Sequence, residues 1–502
     1  MKNKFLFILL FISLAVFAKD KPNVIVVLAD DVGLGDVSHY RRLHSDNIIV
    51  ETPNIDKLAN AGVVFTQAHA PAALCAPSRY GMMTGNSCYR SPSPHGVWGS
   101  YELSPIKDKD LTLGRLMQSV GYQTAFFGKW HLGGDYKRLS DPSKIYRAPR
   151  TNHERDVDIT KIIDGPQQKG FDYSFTMPAG IQDMPYAVYE NGEMVPIKDD
   201  SEVTFITQLM MDKLDVKLDK EEGLGDSNWD PHIMGPMLVH KAVDYIKAQS
   251  NKKKPFFMYY CSQAVHLPHT PSDSLDGIKI KGTTPSAHLD MVKELDVQMG
   301  MMIKELKAQG VYDNTIFVFT SDNGGLQRRE TIKSGHKSSS IYRGGKNTRF
   351  EGGHRVPFIV SWPKEIKHHQ TNAPILALDV MATLAAVTKG EINAGQAMDS
   401  YNLLPILKEK KNAKSHAFLM VQSGTGKELI IIEEGWKLIL KSNKEGTLRE
   451  PMALYDLNTN PEEKEDLNYI DSPEHKSKID ALLKKYNQTR DSKIKTSNMA
   501  SK

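Results

Sequence analysis

Residues 24–29 form an unbroken apolar run, Val-Ile-Val-Val-Leu-Ala, that stops at Asp30-Asp31. Continuous apolarity, without alternation, predicts a strand buried on both faces, as in a parallel sheet. Short runs at 124–127, 256–260, 316–319 and 356–360 repeat the form. Pro357 breaks the last of them and places it nearer a sheet edge. Residues 53–61 predict a helix, with Thr52 as its cap, Pro53 in its first turn and Gly62 as its stop. A longer helix is predicted over about 286–306, where Leu289, Val292, Leu295, Met299, Met302 and Leu306 recur at intervals of three and four. Helices alternating with strands through long connections predict an α/β fold with a large, mostly parallel central sheet.

Polar residues fall at telling places in this pattern. Asp30-Asp31, Lys129 and Asp322-Asn323 each sit just past the C-terminal end of a predicted strand. Parallel strands bring those ends to one edge of the sheet, where sites form. Two stretches, about 135–170 and 180–235, have many polar residues and no clear period, and read as surface excursions near that edge. Beyond about 404 the texture changes. Strand-like segments at 417–420, 429–433 and 437–440, and a closing helix over 472–486, predict a small α+β subdomain. The expected organisation is a catalytic domain over 19–405, the subdomain over 406–488 and a frayed tail over 489–502.

The first eighteen residues read differently. Lys2 and Lys4 precede an apolar stretch from Phe5 to Phe17, interrupted only by Ser13, and Val16-Phe17-Ala18 suits signal peptidase. The chain is therefore expected to be exported, to the periplasm or the medium, with no membrane span in its mature form. Across 502 residues the net charge is +4, which offers no electrostatic case for nucleic acid as a partner. Three cysteines, Cys75, Cys88 and Cys261, exclude a disulfide scaffold and a four-cysteine metal site. An odd count in an exported chain leaves one thiol to be explained.

Asp30, Asp31, Asp322 and Asn323 all offer oxygen, so together they suit Ca²⁺ or Mg²⁺ better than Zn²⁺. Asp30-Asp31 alone reads equally well as an ordinary strand-end turn. Cys75 begins a predicted helix, with Arg79 four residues on and on the same face. A helix N-terminus and a guanidinium both favour negative charge at position 75, yet an inert buried thiol fits as well.

Cys75-Ala76-Pro77-Ser78-Arg79, followed by Thr84-Gly85, resembles the signature of the type I, formylglycine-dependent sulfatases. Lys21-Pro22-Asn23 before Asp30-Asp31 continues the likeness, as do Thr52-Pro53-Asn54-Ile55-Asp56, Gly128-Lys129-Trp130-His131, Ser321-Asp322-Asn323-Gly324, Gly345-Lys346 with Glu351-Gly352-Gly353, and Leu454-Tyr455-Asp456-Leu457. The likeness covers nearly the whole mature chain and is closest in kind to secreted bacterial arylsulfatase-like carbohydrate sulfatases.

The resemblance implies an alkaline-phosphatase-like sulfatase fold. It implies that Asp30, Asp31, Asp322 and Asn323 hold one Ca²⁺, with Mg²⁺ possible on ligand type alone. It implies that a formylglycine-generating maturation enzyme oxidises Cys75 to Cα-formylglycine, whose hydrate touches the metal and attacks sulfur. Arg79 then steadies the hydrate, Lys129 and Lys346 bind the sulfate, His266 protonates the departing oxygen, and His131 takes the proton that lets the aldehyde return. The implied activity is hydrolysis of a sulfate ester, with a sulfated saccharide as substrate (a sulfuric ester hydrolase, used in polysaccharide degradation). The physical sense is plain: an anionic ester calls for cationic partners, and a poor leaving group calls for a proton donor.

Two alternatives carry weight. A phosphoester or phosphonate hydrolase of the same superfamily is disfavoured by the complete cysteine motif and the one-metal ligand set. A catalytically silent sugar-binding homologue is disfavoured by the full set of lysines and histidines. Trp130 reads as a wall beside the site, Trp98, in a Pro- and Gly-rich loop with His95, as a face on which a sugar could stack, and His336-Lys337 as either a charged-sugar contact or a solvated loop. His269 is an extra histidine of no assigned role. Cys88 and Cys261 read as two buried thiols.

Overall fold

In the computed structural model, residues 21–148 and 155–492 are described. The expected signal segment, 1–18, lies outside them. A 10-stranded sheet organises the chain. Its strands are β1 (Asn23–Ala29), β2 (Val63–Phe65), β3 (Gln123–Lys129), β4 (Tyr173–Met177), β5 (Val188–Glu190), β6 (Glu193–Val195), β7 (Phe256–Cys261), β8 (Thr315–Ser321), β9 (Phe358–Ser361) and β10 (His369–Thr371). They lie in the order β10-β2-β9-β8-β1-β7-β3-β4-β5-β6. From β8 to β4 every neighbouring pair is parallel, so this central block points one way.

The block is buried on both faces, as its continuous apolarity requires. Along β1, Ile25, Val27 and Ala29 enter the core on one face, and Val24, Val26 and Leu28 enter that on the other. Helices Met234–Ser250 and Ala287–Ala308 pack together on the first face. The predicted stripe, from Leu289 to Leu306, is wholly buried there, and Ser286 caps the helix by accepting a hydrogen bond from Leu289 N. Helices Cys75–Thr84, Leu113–Ser119 and Val380–Thr388 cover the second face.

Two expectations change. The 356–360 run is not near an edge: β9 begins after Pro357, runs antiparallel to β8 and has β2 and β10 outside it. Proline is tolerated because it precedes the ladder instead of interrupting it. Thr52 does not cap helix Pro53–Ala61 with its side chain. Asp296, from the long helix, does so, accepting from the N–H groups of Asn54 and Ile55 at 2.9 Å each. Gly62 follows that helix with an extended backbone, and a Cβ there would lie 2.4 Å from the Val360 carbonyl oxygen, so close approach demands glycine.

After the central sheet, β11 (Phe418–Gln422), β12 (Glu428–Glu433), β13 (Trp436–Lys441) and β14 (Glu450–Asp456) form a four-stranded antiparallel sheet. β14 had no counterpart in the predicted strands. One face receives helix Lys476–Asp491 through Ile479, Leu482 and Tyr486. The other packs on Leu376 and Leu378. The helix runs to Asp491 with Thr489 buried, so the chain is ordered past the expected start of its tail.

A buried charge network ties the two sheets together. Lys437 on β13 lies 3.0 Å from Glu351 and 2.8 Å from Glu463. Arg355 adds a bond to Glu351 at 2.9 Å. Burial opposes ionisation of Glu351, but Lys437 and Arg355 beside it hold its carboxyl well below the usual carboxylate range. Removing one partner from such a group strands the rest in a dry interior. Lys437→Met is accordingly expected to cost about 3–5 kcal/mol in denaturant unfolding. A loss under 1 kcal/mol refutes a stabilising role for the network.

Candidate active site

The parallel block delivers its polar termini to one edge. Asp30 and Asp31 follow β1, Asp322 and Asn323 follow β8, Lys129 ends β3, His266 lies beyond β7, and Gln182 lies beyond β4. Backbone bonds lock the turns to one another. Asp30 N–H donates to the Ala264 carbonyl at 2.9 Å, and Asp322 N–H donates to that of Ala29 at 3.1 Å. Asp31 holds a left-handed backbone, φ 66°, with its N–H on Asp322 Oδ1 at 3.2 Å. Gly128 turns the end of β3 at φ 91°, where a Cβ would sit 2.0 Å from the Cys261 carbonyl oxygen.

Helix Cys75–Thr84 places its first residue over this edge, and every residue of the helix is buried. Cys75 Sγ lies 3.4 Å from Asp30 Oδ1 and 3.7 Å from Asp31 Oδ1. Arg79, one turn on, donates to Asp322 Oδ2 at 2.7 Å and to the Lys129 carbonyl at 2.9 Å. Lys129 Nζ meets Asp30 Oδ2 at 2.6 Å and Gln182 Oε1 at 2.7 Å. Lys346 Nζ meets Asp31 Oδ2 at 2.7 Å. His266 Nε2 lies 3.7 Å from the same oxygen, while its Nδ1 bonds the Leu267 carbonyl at 2.8 Å. His131 shares with Cys75, His266 and Lys346 the wall of a cavity of about 260 Å³.

The segment bearing Lys346 is pinned from both sides. Lys346 N–H donates to Gly325, Asn347 N–H to Ala73, and Gly424 N–H, in the β11–β12 turn, to Asn347. Ala73 N–H in turn bonds the Gln422 carbonyl. The C-terminal sheet thus helps set both Lys346 and the approach to Cys75.

Charges here are densely packed, and all but the partly exposed Lys346 are buried. Burial opposes ionisation of Asp30, yet Lys129, His266 and Arg79 hold its carboxyl well below the usual range. Asp31 and Asp322 are pushed up, by burial and by neighbouring carboxylates, despite Lys346 and Arg79. Burial also pushes the Cys75 thiol well up, and Asp322 adds to the effect. Of the two readings of position 75, this favours the inert buried thiol: desolvation and a carboxylate outweigh the helix terminus and the nearby cations. His266 is held well below the usual imidazole range by burial and by Lys346 and Lys129.

The donor set fits a hard divalent cation. Asp30, Asp31, Cys75 and His266 each offer an atom within 4.8 Å of the others. Asn323 donates from Nδ2 to Asp31 Oδ1 at 2.9 Å, but its Oδ1 is buried with no hydrogen-bond partner. Two carboxylates pushed up and an orphaned carbonyl oxygen are what a cation of oxygen preference would satisfy.

All ten residues singled out for catalysis or metal binding meet at this edge. Others do not. Trp98 is buried against Tyr80, which corrects its reading as a sugar platform. His336 is buried with Nε2 on Asp36 at 2.8 Å, and Lys337 is exposed with its carbonyl on Arg41, so this pair serves the frame and not the cavity. Trp130 is buried with its Nε1 on the Gly133 carbonyl. Cys75, Cys88 and Cys261 are all free and buried. The sequence reading passed over Gln182, Asp219, Lys220 and Asn347, which also line the cavity. Gln182, Asp219 and Lys220 fall in the 180–235 stretch without a period, and Asn347 directly follows Lys346; those places were the only signal for them.

A family description, Sulfatase, matches residues 22–390, and N-sulphoglucosamine sulphohydrolase, C-terminal, matches 345–492. N-acetylgalactosamine-6-O-sulfatase of Bacteroides thetaiotaomicron is 31% identical over 88% of this chain and 89% of its own. Mouse steryl-sulfatase is 26% identical over 92% of this chain and 81% of its own. A solved structure from work on the metabolism of multiple glycosaminoglycans by Bacteroides thetaiotaomicron superposes with TM-score 0.79 at 28% identity, covering 94% of this chain and 99% of that one.

The geometry predicts a metal-linked stability. Calcium at a hundred times its Kd is expected to raise unfolding free energy by about 2.7 kcal/mol. Asp31→Ala is expected to abolish that gain. No shift on adding Ca²⁺ or Mg²⁺ to the chelated protein rules out the cation site.

Proposed function

Because the chain belongs to the sulfatase family, whose hydrolases act on sulfate esters, we propose that this site hydrolyses the sulfate ester of a carbohydrate through an oxidised Cys75. The observation that carries the reading is Cys75 seated against Asp30 and Asp31, with Lys129, Lys346 and Arg79 around it. The name of the Bacteroides relative makes N-acetylgalactosamine 6-sulfate the first substrate to test.

In this reading Asp30, Asp31, Asp322 and Asn323, with residue 75, hold a divalent cation, Ca²⁺ before Mg²⁺. Bound there, the cation offsets negative charge on the sulfate and on the attacking oxygen. Oxidation of Cys75 to formylglycine by a maturation enzyme supplies an aldehyde whose hydrate is the nucleophile. Lys129 and Lys346 bind the nonbridging sulfate oxygens, which are the natural counter-charges for ammonium groups now shared with Asp30 and Asp31. Arg79 holds Asp322 and the Lys129 carbonyl, so it positions the helix start against the metal ligands. The His266 Nδ1 contact with Leu267 sets the ring with Nε2 toward the cavity; an incoming sulfate that offsets Lys129 and Lys346 lifts the hold they have on the ring, so that Nε2 gains the proton it hands to the departing oxygen. His131, on the same wall, takes a proton from residue 75 when sulfate leaves.

Residues 1–18 serve export in this reading. Among the described residues no helix is long and apolar enough to cross a membrane.

Co-expression with a formylglycine-generating enzyme, with residue 75 read by peptide mass spectrometry, prepares the test. Sulfate release is then measured from p-nitrophenyl sulfate and sulfated mono-, oligo- and polysaccharides. Cys75→Ala is expected to lose about a thousandfold or more in kcat, and His266→Ala about 10²–10⁴-fold on esters with poor leaving groups. Confirmed aldehyde with no release from any ester defeats the proposal.

A further inference from the structure

The catalytic cavity, about 260 Å³, is small beside the roughly 300–1,000 Å³ typical of sites for drug-sized ligands. It does not end blindly. A second cavity of about 470 Å³ adjoins it, and Asp219 and Leu267 stand in the walls of both. The junction lies on the His266 side, because Leu267 to Thr270 continue from His266 into the second cavity. His266 is the residue placed at the departing oxygen. A saccharide whose sulfate enters the first cavity therefore sends its next sugar into the second.

The second cavity has a charge of its own. Arg328 and Lys217 stand on its wall, and neither side chain has a hydrogen-bond or ion-pair partner among the described residues. Of the two aspartates on this wall, Asp219 pairs with Lys220 at 3.0 Å, and Asp215 forms no ion pair with Lys217 or Arg328. Arg328 is left without a carboxylate, and it is half-buried, with its Nε wholly shielded and unbonded. A guanidinium in that position costs free energy unless an anion meets it. His269, beside it, is held to about 3 by burial and by its histidine and arginine neighbours, so it stays neutral and leaves Arg328 as the cation.

Resting on the sulfatase reading, we propose that this second cavity is a saccharide subsite in which Arg328 binds an anionic group, carboxylate or sulfate, on the sugar next to the one that loses its sulfate. The enzyme then prefers acidic oligosaccharides over sulfated monosaccharides. Arg328 is a specificity determinant: it touches the neighbouring sugar and takes no part in bond breaking.

The test compares kcat/KM of the aldehyde-bearing enzyme on p-nitrophenyl sulfate, N-acetylgalactosamine 6-sulfate, that sugar linked to glucuronic acid, the methyl ester of the same disaccharide, and that sugar linked to a sulfated neutral sugar. A charge-assisted contact predicts that at least one anionic disaccharide exceeds the methyl ester about tenfold or more. Arg328→Ala should remove that advantage, Arg328→Lys should restore part of it, and both should keep p-nitrophenyl sulfate turnover within about twofold. Preference for the glucuronate identifies a carboxylate as the anion, and preference for the second sulfate identifies a sulfate. Equal rates on ester and acids overturn the subsite, as does aryl sulfate turnover with no saccharide turnover. An equal loss on every substrate in Arg328→Ala overturns it too, since a merely structural residue behaves that way. No turnover of anything, with the aldehyde confirmed, fells the sulfatase reading itself.

Discussion

Three aspartates, Asp30, Asp31 and Asp322, lie fully buried at one edge of the sheet, and the protein has to offset their charge from within. Much of the surrounding structure answers that need. Lys129, Lys346 and Arg79 converge on them from a strand end, a loop and a helix that are distant in sequence. Even so, two of the three carboxyls are pushed up, so protein cations alone do not settle the charge. A site built this way is primed for a divalent cation and an anionic group that arrives with it. The same field opposes ionisation of an unmodified thiol at position 75, which sits in a dry place facing carboxylates.

The C-terminal sheet is less an appendage than a brace. Its Lys437 holds Glu351 in the interior, and its first turn bonds Asn347 beside Lys346. Bonds from Ala73 to both Gln422 and Asn347 bring the entrance to helix Cys75–Thr84 into the same arrangement. The segment bearing Lys346 and the entrance to the helix bearing Cys75 therefore share one support. A loss of packing between Leu376, Leu378 and the C-terminal sheet would be felt at the catalytic edge as well as in stability.

Chemistry and selectivity are divided between kinds of structure. The rigid parallel block presents the charged ends that any ester of sulfate requires. The loops between strands, with Gln182, Asp219, Lys220 and Arg328, shape what surrounds the ester. Such loops can change without disturbing the buried block, which suits them to reading the sugar.

The sequence by itself determined the α/β class, the strands that carry the site, the buried stripe of the long helix and the ten residues that meet at the sheet edge. Those features were legible because they rest on local rules: continuous apolarity for doubly buried strands, a period for a helix, and a short motif at each strand end. Tertiary structure alone decided the rest. Asp296, not Thr52, caps helix Pro53–Ala61, because a side chain across the core reaches its N–H groups first. β9 lies inside the sheet because β2 and β10, too short to show a pattern, add themselves beyond it. Trp98 is buried and His336 bonds Asp36, contacts that no spacing along the chain foretells. The thiol of Cys75 is pushed up where its helix position argued for the reverse, because burial and the facing carboxylates depend on what surrounds it in space. Local chemistry can be read from neighbours in the chain, but solvent exclusion and charge balance are set by neighbours in the fold.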